Sequence, residues 1–526
     1  MSKRQDVKKR SAIVGPALAF VMLAAATLVL LALSSLLQGL GLSALTAPVD
    51  WLRNLDSGLA RDTLANAADM VAAVLSIAIT VVAIVVELAA NRYSHRITWL
   101  FVREPVNIIT MSLLVITTLL CVWVAVTLND SSGNAALPNA GFALCMVLVT
   151  LSLLILLPYF AFVFAFLSPL SIIRKIRDRA LRQVESCRAV SAETAQFRVE
   201  EAVDELQDVA RRAVELGDRG VAMATVEALA DLITRYQNLR AGLPKNWFRL
   251  HDAVATDPDF VALAGAVREE IENDGSWLEI KVMRQYLWLM NQSVHKARDI
   301  ANLIAIHTKR IAVVVADHNP PLLELCIRCM NSYLRTAINV NDPRTGYYVL
   351  NQYRKLAEHL LAQGNTAPVE EIALQFKFYG LLGFKTGQPF MLEVAAYDLS
   401  QLIVQSIERD SPLVDALLAL LLTLDEEIRA ESGETSLIGV RRSQIQIATM
   451  FAMNGDFDRM NRISDDLKTD EPGRLWDIQE MLTKEDRQQY WEFTDRGINF
   501  QYLPPERREY LPKVLYWLEQ NRTAQV

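Results

Sequence analysis

The chain has 526 residues, 52% of them hydrophobic, a formal net charge of −7 at pH 7 and a mean hydropathy of +0.18. That average is too apolar for a purely soluble protein, and the apolarity gathers near the N-terminus. Residues 1–182 hold 15 Lys/Arg against 9 Asp/Glu, whereas the remainder holds 38 against 51, so a basic membrane unit precedes an acidic soluble one and a nucleic-acid partner is disfavoured.

Four segments reach spanning length, at about 12–37, 70–90, 106–128 and 142–167, against the roughly 20 residues that a hydrocarbon core requires. The first follows the basic "SKRQDVKKR", as a secretory signal would. Its apolar stretch outruns the roughly 7 to 15 residues of a signal core and lacks a small-x-small cleavage site, so a retained helix is the expectation. Lys3, Arg4, Lys8, Lys9 and Arg10 precede span one, Arg92, Arg96 and Arg103 separate spans two and three, and Arg174, Lys175, Arg177, Arg179 and Arg182 follow span four. The opposite loops offer only Arg53 and Arg61 as cations, offset by Asp50, Asp56, Asp62 and Asp130. By the positive-inside rule both termini are expected on the cytoplasmic side.

Within span two, at 100° per residue, Asp69, Ser76, Thr80, Glu87 and Asn91 share one stripe, while Val74, Val81, Val85 and Leu88 occupy the other side. An acid in a span costs on the order of 2 to 4 kcal/mol at the bilayer centre. Three readings stay open. Glu87 is hydrated at the cytosolic interface or paired with a cation such as Arg92, or the stripe is a dry helix–helix seam, or it lines a water-filled path. In the following "NRYSHRITWLFVREP", Arg92, Arg96, Trp99 and Arg103 read as interfacial anchors at an anionic leaflet. Pro158 in span four removes a helix donor and is expected to bend that helix.

From Ser171 to residue 526 apolar residues recur at helical spacing, which predicts a cytosolic all-α domain, with candidate divisions near 365 or 470. The segments "RRAVELGDRGVAMATVEALADLI" and "LRTAINVNDPRTGYYVLNQYRKLAEHLL" align without gaps around Asp218 and Asp342. Asp218, Asp342 and Ser411 are read as helix N-caps, with Pro343 and Pro412 at the first helical position. The units recur at what reads as irregular spacing, so the expectation is a helical-hairpin array and not a fixed-period repeat. The five cysteines imply no disulfide framework, and Cys326 and Cys329 of "CIRC" share an apolar helical face with Leu322 and Tyr333, which makes them core residues.

The stretches "TVVAIVVELAANRYSHRI", "WLEIKVMRQYLWLMNQSVHKARDIANLIAIHTKRI" and "LRTAINVNDPRTGYYVLNQYRKLAEHLL" resemble a bacterial family of predicted integral membrane proteins of unknown function. The likeness runs to about residue 360. It implies membrane class and bacterial origin, and no activity.

Phosphate-loop, dinucleotide, zinc-helix and nucleophile-elbow motifs are absent from the sequence, and its six histidines show no metal-ligand spacing. The expectation is a nonenzymatic protein with no cofactor, in contact with membrane lipid and homo-oligomeric, whose cytosolic array binds a protein partner as scaffold or sensor. The alternative is an ion or small-solute channel or transporter lined by span two.

Overall fold

The computed structural model of the protein describes residues 57–92, 104–129, 139–166, 168–426, 428, 438–468, 470, 472–492 and 494–523. Those residues are helical wherever regular structure forms, apart from one isolated bridge between Gln489 and Ile498. The chain forms two compact units, Met1–Ile172 and Ile173–Val526.

In the first unit, α1 (Ser57–Arg92), α2 (Pro105–Asn129) and α3 (Asn139–Phe166) pack on one another. Their stretches Gly58–Glu87, Pro105–Thr127 and Gly141–Val163 are long and apolar enough to cross a membrane. The sequence led us to expect four spans; three lie among the described residues, and the one expected at 12–37 lies outside them. The helix that carries the stretch expected to span at about 70–90 begins earlier, at Ser57. Ala60, Leu64, Ala67, Ala68 and Val71 keep a buried face at helical spacing, so the helix continues through the charged Arg61, Asp62 and Asp69, which stay exposed.

Helices α2 and α3 are joined by buried polar contacts. Tyr159 donates to Asn107 Oδ1 at 2.7 Å, and the hydroxyls of Thr117 and Ser152 meet at 3.0 Å. The partner numbers run in opposite senses, so the two helices are antiparallel. Pro158 lies inside α3, which continues to Phe166.

The second unit begins within α4 (Pro169–Ser186) and continues with α5 (Ala192–Leu216) and α6 (Arg219–Arg240). A short 3-10 turn follows at Lys245–Phe248, then α7 (Asp252–Ala255), α8 (Pro258–Val261) and α9 (Gly265–Asp274). The array proper runs through α10 (Trp277–Lys296), α11 (Arg298–Val315), α12 (Pro320–Asn339), α13 (Pro343–Ala362), α14 (Thr366–Lys385), α15 (Pro389–Glu408), α16 (Val414–Leu422) and α17 (Ile438–Asn454). Successive helices alternate between two layers. Helices α10, α12, α14 and α16 stack in one and α11, α13, α15 and α17 in the other, while each also packs on the next in sequence. The chain closes with α18 (Phe457–Leu467), α19 (Pro472–Lys484), α20 (Pro505–Arg508) and α21 (Leu511–Thr523).

One turn recurs at seven places among the described residues. A residue at positive φ (Gly217, Gly275, Asn341, Gly364, Gly387, Asp410 or Gly455) is followed by one whose N–H donates to the carbonyl five residues back. This closes the helix end in a Schellman-type motif. At Asp218, Asp342 and Asp456 the same residue then starts the next helix, its carboxylate accepting from the N–H of Val221, Thr345 and Arg459.

Two expectations are corrected by this geometry. Helices α12 to α15 are 20 residues long and start 23 residues apart, at Pro320, Pro343, Thr366 and Pro389, so this stretch does have a fixed period. Ser411 is not the cap of α16. Its Oγ accepts from Leu413 N at 3.3 Å, Pro412 lies in the resulting turn, and the helix opens at Val414 without a side-chain cap.

Asp342 does more than cap. It is buried, accepts from Thr345 Oγ1 at 2.8 Å, and receives Arg298 Nε, from the start of α11, at 2.9 Å. Asp342→Ala is therefore expected to lower the stability of the array by about 1 to 2 kcal/mol, and Asp342→Asn, which keeps a capping oxygen, by less. Denaturant unfolding followed by far-UV circular dichroism checks the order; equal losses would remove the role of the charge.

Candidate functional site

Helix α1 separates its residues by face. Leu64, Ala67, Ala68, Val71, Ala78 and Val85 are buried against the neighbouring helices, whereas Asp69, Ser76, Thr80 and Glu87 are all exposed. Thr80 Oγ1 donates to the Ser76 carbonyl at 2.9 Å, which satisfies that hydroxyl within its own helix. Asp69 and Glu87 are 18 residues apart, about 27 Å along the axis, close to the roughly 30 Å of a hydrocarbon core. The two acids can thus lie at opposite boundaries of the apolar layer, with only Ser76 and Thr80 inside it. Asn91 and Arg92 end α1; Arg96, Trp99 and Arg103 lie outside the described residues.

The second unit gathers charge around Lys281 of α10, which is 2% exposed. Its ammonium stands 2.8 Å from Asp204 of α5, 2.9 Å from Asp257, the N-cap of α8, and 2.8 Å from Asp259 of α8. Asp259 also accepts from Arg284 and Gln285. Glu200, one turn before Asp204 on α5, completes the cluster, and oxygens of Glu200, Asp204 and Asp257 lie within 4.8 Å of one another. A hard cation takes such a donor set, but here the Lys281 ammonium already supplies the positive charge. The cluster fastens α5, α8 and α10 together.

Its carboxyls divide their roles. Burial, reinforced by Asp257, pushes Glu200 up to about 8. Burial also acts to raise Asp257, but the hydrogen bond from Glu200 and the charge of Lys281 outweigh it and hold that carboxyl below its ordinary value. The hydrogen bond between the two favours a proton on Glu200 over one on Asp257. For Lys281, burial opposes the charge and the surrounding carboxylates override it, raising its pKa.

Two further buried cations are similarly enclosed. Arg496 forks onto Asp398 of α15 at 2.7 and 3.0 Å, donates to the Tyr347 carbonyl and lies 4.2 Å from the centre of the Tyr347 ring. This pins the irregular segment after α19 to the array. Arg441 of α17 meets Asp425, Asp466 and Asp470 at 2.6 to 2.9 Å. Cys326 and Cys329 are buried and burial raises both thiols, Cys329 to about 12, the reverse of what a reactive Cys-x-x-Cys needs.

None of these three centres was singled out in the sequence. Lys281 left a trace there, as a charge one turn from Trp277, but its acidic partners come from two distant segments, α5 and the stretch around α8.

Because Glu200 keeps its proton in the folded chain and loses it above about 4.5 when unfolded, the folded state binds the extra proton between about 4.5 and 8. The stability that this carboxyl contributes is full below that window, falls through it by on the order of 1.4 kcal/mol per pH unit, and is lost above it. Glu200→Gln is expected to flatten this dependence, as read by denaturant unfolding at pH 6 and pH 8.5; an unchanged slope would place the proton elsewhere.

No curated protein matches the chain. Among solved structures, one described as a circular tandem repeat protein with novel repeat topology and enhanced subunit contact surfaces is similar, at 17% identity over 62% of this chain and 80% of that one, with a TM-score of 0.29. Residues 10–221 match the family described as predicted membrane protein (DUF2254), which bears out the resemblance to a predicted membrane protein family over that part of the chain; the stretches read at 277–311 and 334–361 lie beyond the match.

Proposed function

We propose that the protein is a nonenzymatic membrane anchor, homo-oligomeric in a bacterial inner membrane with both termini cytoplasmic, whose helical array presents a binding face to a cytosolic protein partner. The observation that carries this reading is a set of exposed aromatic side chains at the C-terminal end of the array. Trp476 is 73% exposed, Tyr516 64%, Trp491 61% and Phe457 52%. Phe457 of α18 and Trp517 of α21 lie 5.8 Å apart, and Trp517 is held by a hydrogen bond to Asn461. Rigid aromatic groups of this kind dominate protein interfaces. The buried cations nearby are engaged in ion pairs, which favours recognition over chemistry. Self-association draws support from α1, where Ala72, Ala73, Ser76, Thr80 and Ala83 are exposed and small enough for a second helix to approach closely.

Affinity purification from native membranes is expected to recover a stoichiometric protein with the wild type. Recovery should fall roughly tenfold or more when Trp476→Ser and Tyr516→Ser are combined, while far-UV circular dichroism and oligomer size stay unchanged. Recovery indifferent to both substitutions would defeat the assignment of the face.

The polar line on α1 supplies the competing reading of a pathway, and the spacing of its two acids weighs against it. Proteoliposomes of the purified oligomer are expected to show no cation flux above protein-free vesicles across pH and voltage. A flux that Glu87→Gln abolishes and Ile84→Ala, at another exposed position, leaves intact would replace the anchor with a conduit.

A further inference from the structure

Helices α1 and α2 enclose a cleft of about 280 Å³ lined by Arg61, Ala65, Ala68 and Asp69 of α1 and by Val122, Ala125 and Val126 of α2. It contains one cation and one anion. Neither has an ion-pair partner among the described residues, although both lie on a helix long and apolar enough to cross a membrane. The uncharged run of α1 starts at Met70, so Asp69 stands at the edge of the apolar layer and Arg61 beyond it, about 12 Å further along the axis. On α2 the cleft residues flank Trp123, which is 60% exposed, and tryptophan gathers at the level of lipid headgroups. Alanines form the floor between the two charges and leave them open to a ligand. A guanidinium is suited to a phosphate, and a carboxylate to a primary ammonium that donates hydrogen bonds.

We infer that this cleft binds the headgroup of an aminophospholipid, with Arg61 on the phosphate and Asp69 on the primary amine. The acyl chains remain in the bilayer along the apolar surface of α2. Occupancy gives each of the two charges at the membrane boundary a partner of opposite sign. The inference rests on the membrane reading of α1 and α2 and is independent of the partner face proposed for the array.

The test uses the full chain, delipidated in detergent and titrated with dioleoyl phosphatidylethanolamine, its N-methyl and N,N-dimethyl derivatives, phosphatidylcholine and phosphatidylglycerol, with bound lipid counted by native mass spectrometry. The first phosphatidylethanolamine per protomer is expected to bind roughly tenfold more tightly than phosphatidylcholine or phosphatidylglycerol, the difference one charge-assisted hydrogen bond commonly makes. Affinity should fall stepwise along the methyl series, a comparison that needs no variant. Asp69→Asn should erase the preference for the amine, Arg61→Gln should weaken all the phospholipids, and Ala65→Phe, at an exposed lining position, should fill the cleft. Equal binding of all headgroups by the wild type, or an amine preference that survives Asp69→Asn, would overturn the inference.

Discussion

A short turn with one residue at positive φ sets the geometry on which the helical array depends. The left-handed residue ends a helix and the next residue turns its backbone N–H onto the carbonyl five residues earlier; at every such turn but the one at Asp410 that residue also precedes the first turn of the following helix. When such turns separate helices of equal length, consecutive helices must alternate between two layers and each layer must repeat. That is the arrangement from α12 to α15. The turn tolerates glycine, asparagine or aspartate at the strained position. Glycine adopts it at no steric cost, and the two polar residues visit it more readily than other side chains.

Turns fix spacing, but ion pairs fix which elements sit against the array where the repeat stops. Lys281 gathers the short helices after α6, Arg496 the irregular segment after α19, and Arg441 the region around Asp425 and Asp470. Each is a desolvated cation facing more than one polar partner. Such pairs add little net stability compared with a well-packed apolar core, yet removing one partner leaves a buried charge and costs about 3 to 5 kcal/mol. They act as specificity devices: an irregular segment in any other position would strand the cation.

The fold class and the caps at Asp218 and Asp342 were legible because both rest on local signals, helical periodicity and an acid at a helix start. The 23-residue period was equally local and was missed. Its marker, proline at the first helical position, is present at Pro320, Pro343 and Pro389 but replaced by Thr366, and the turn residues before it vary. The early start of α1 was missed for a different reason. A hydropathy window ends at Asp69, whereas the buried face at Ala60, Leu64 and Ala67 continues beneath the charges. The ion-pair centres were illegible because their acids converge from distant segments only after folding.

The length of α1 bears on how its polar residues should be weighed. Thirty-six residues make about 54 Å of helix, well beyond a hydrocarbon core of about 30 Å. A helix that long has no need to bury an acid at the membrane midplane, since it can slide or tilt until both acids reach a boundary. Ser76 and Thr80 then remain as the only polar side chains of the stripe within the apolar layer. The hydroxyl of Thr80 is already bonded to the carbonyl one turn back, and a serine hydroxyl has the same kind of acceptor within reach. In that placement the stripe amounts to two acids at opposite boundaries and two hydroxyls between them. What it leaves is a surface of small residues, suited to close helix contact.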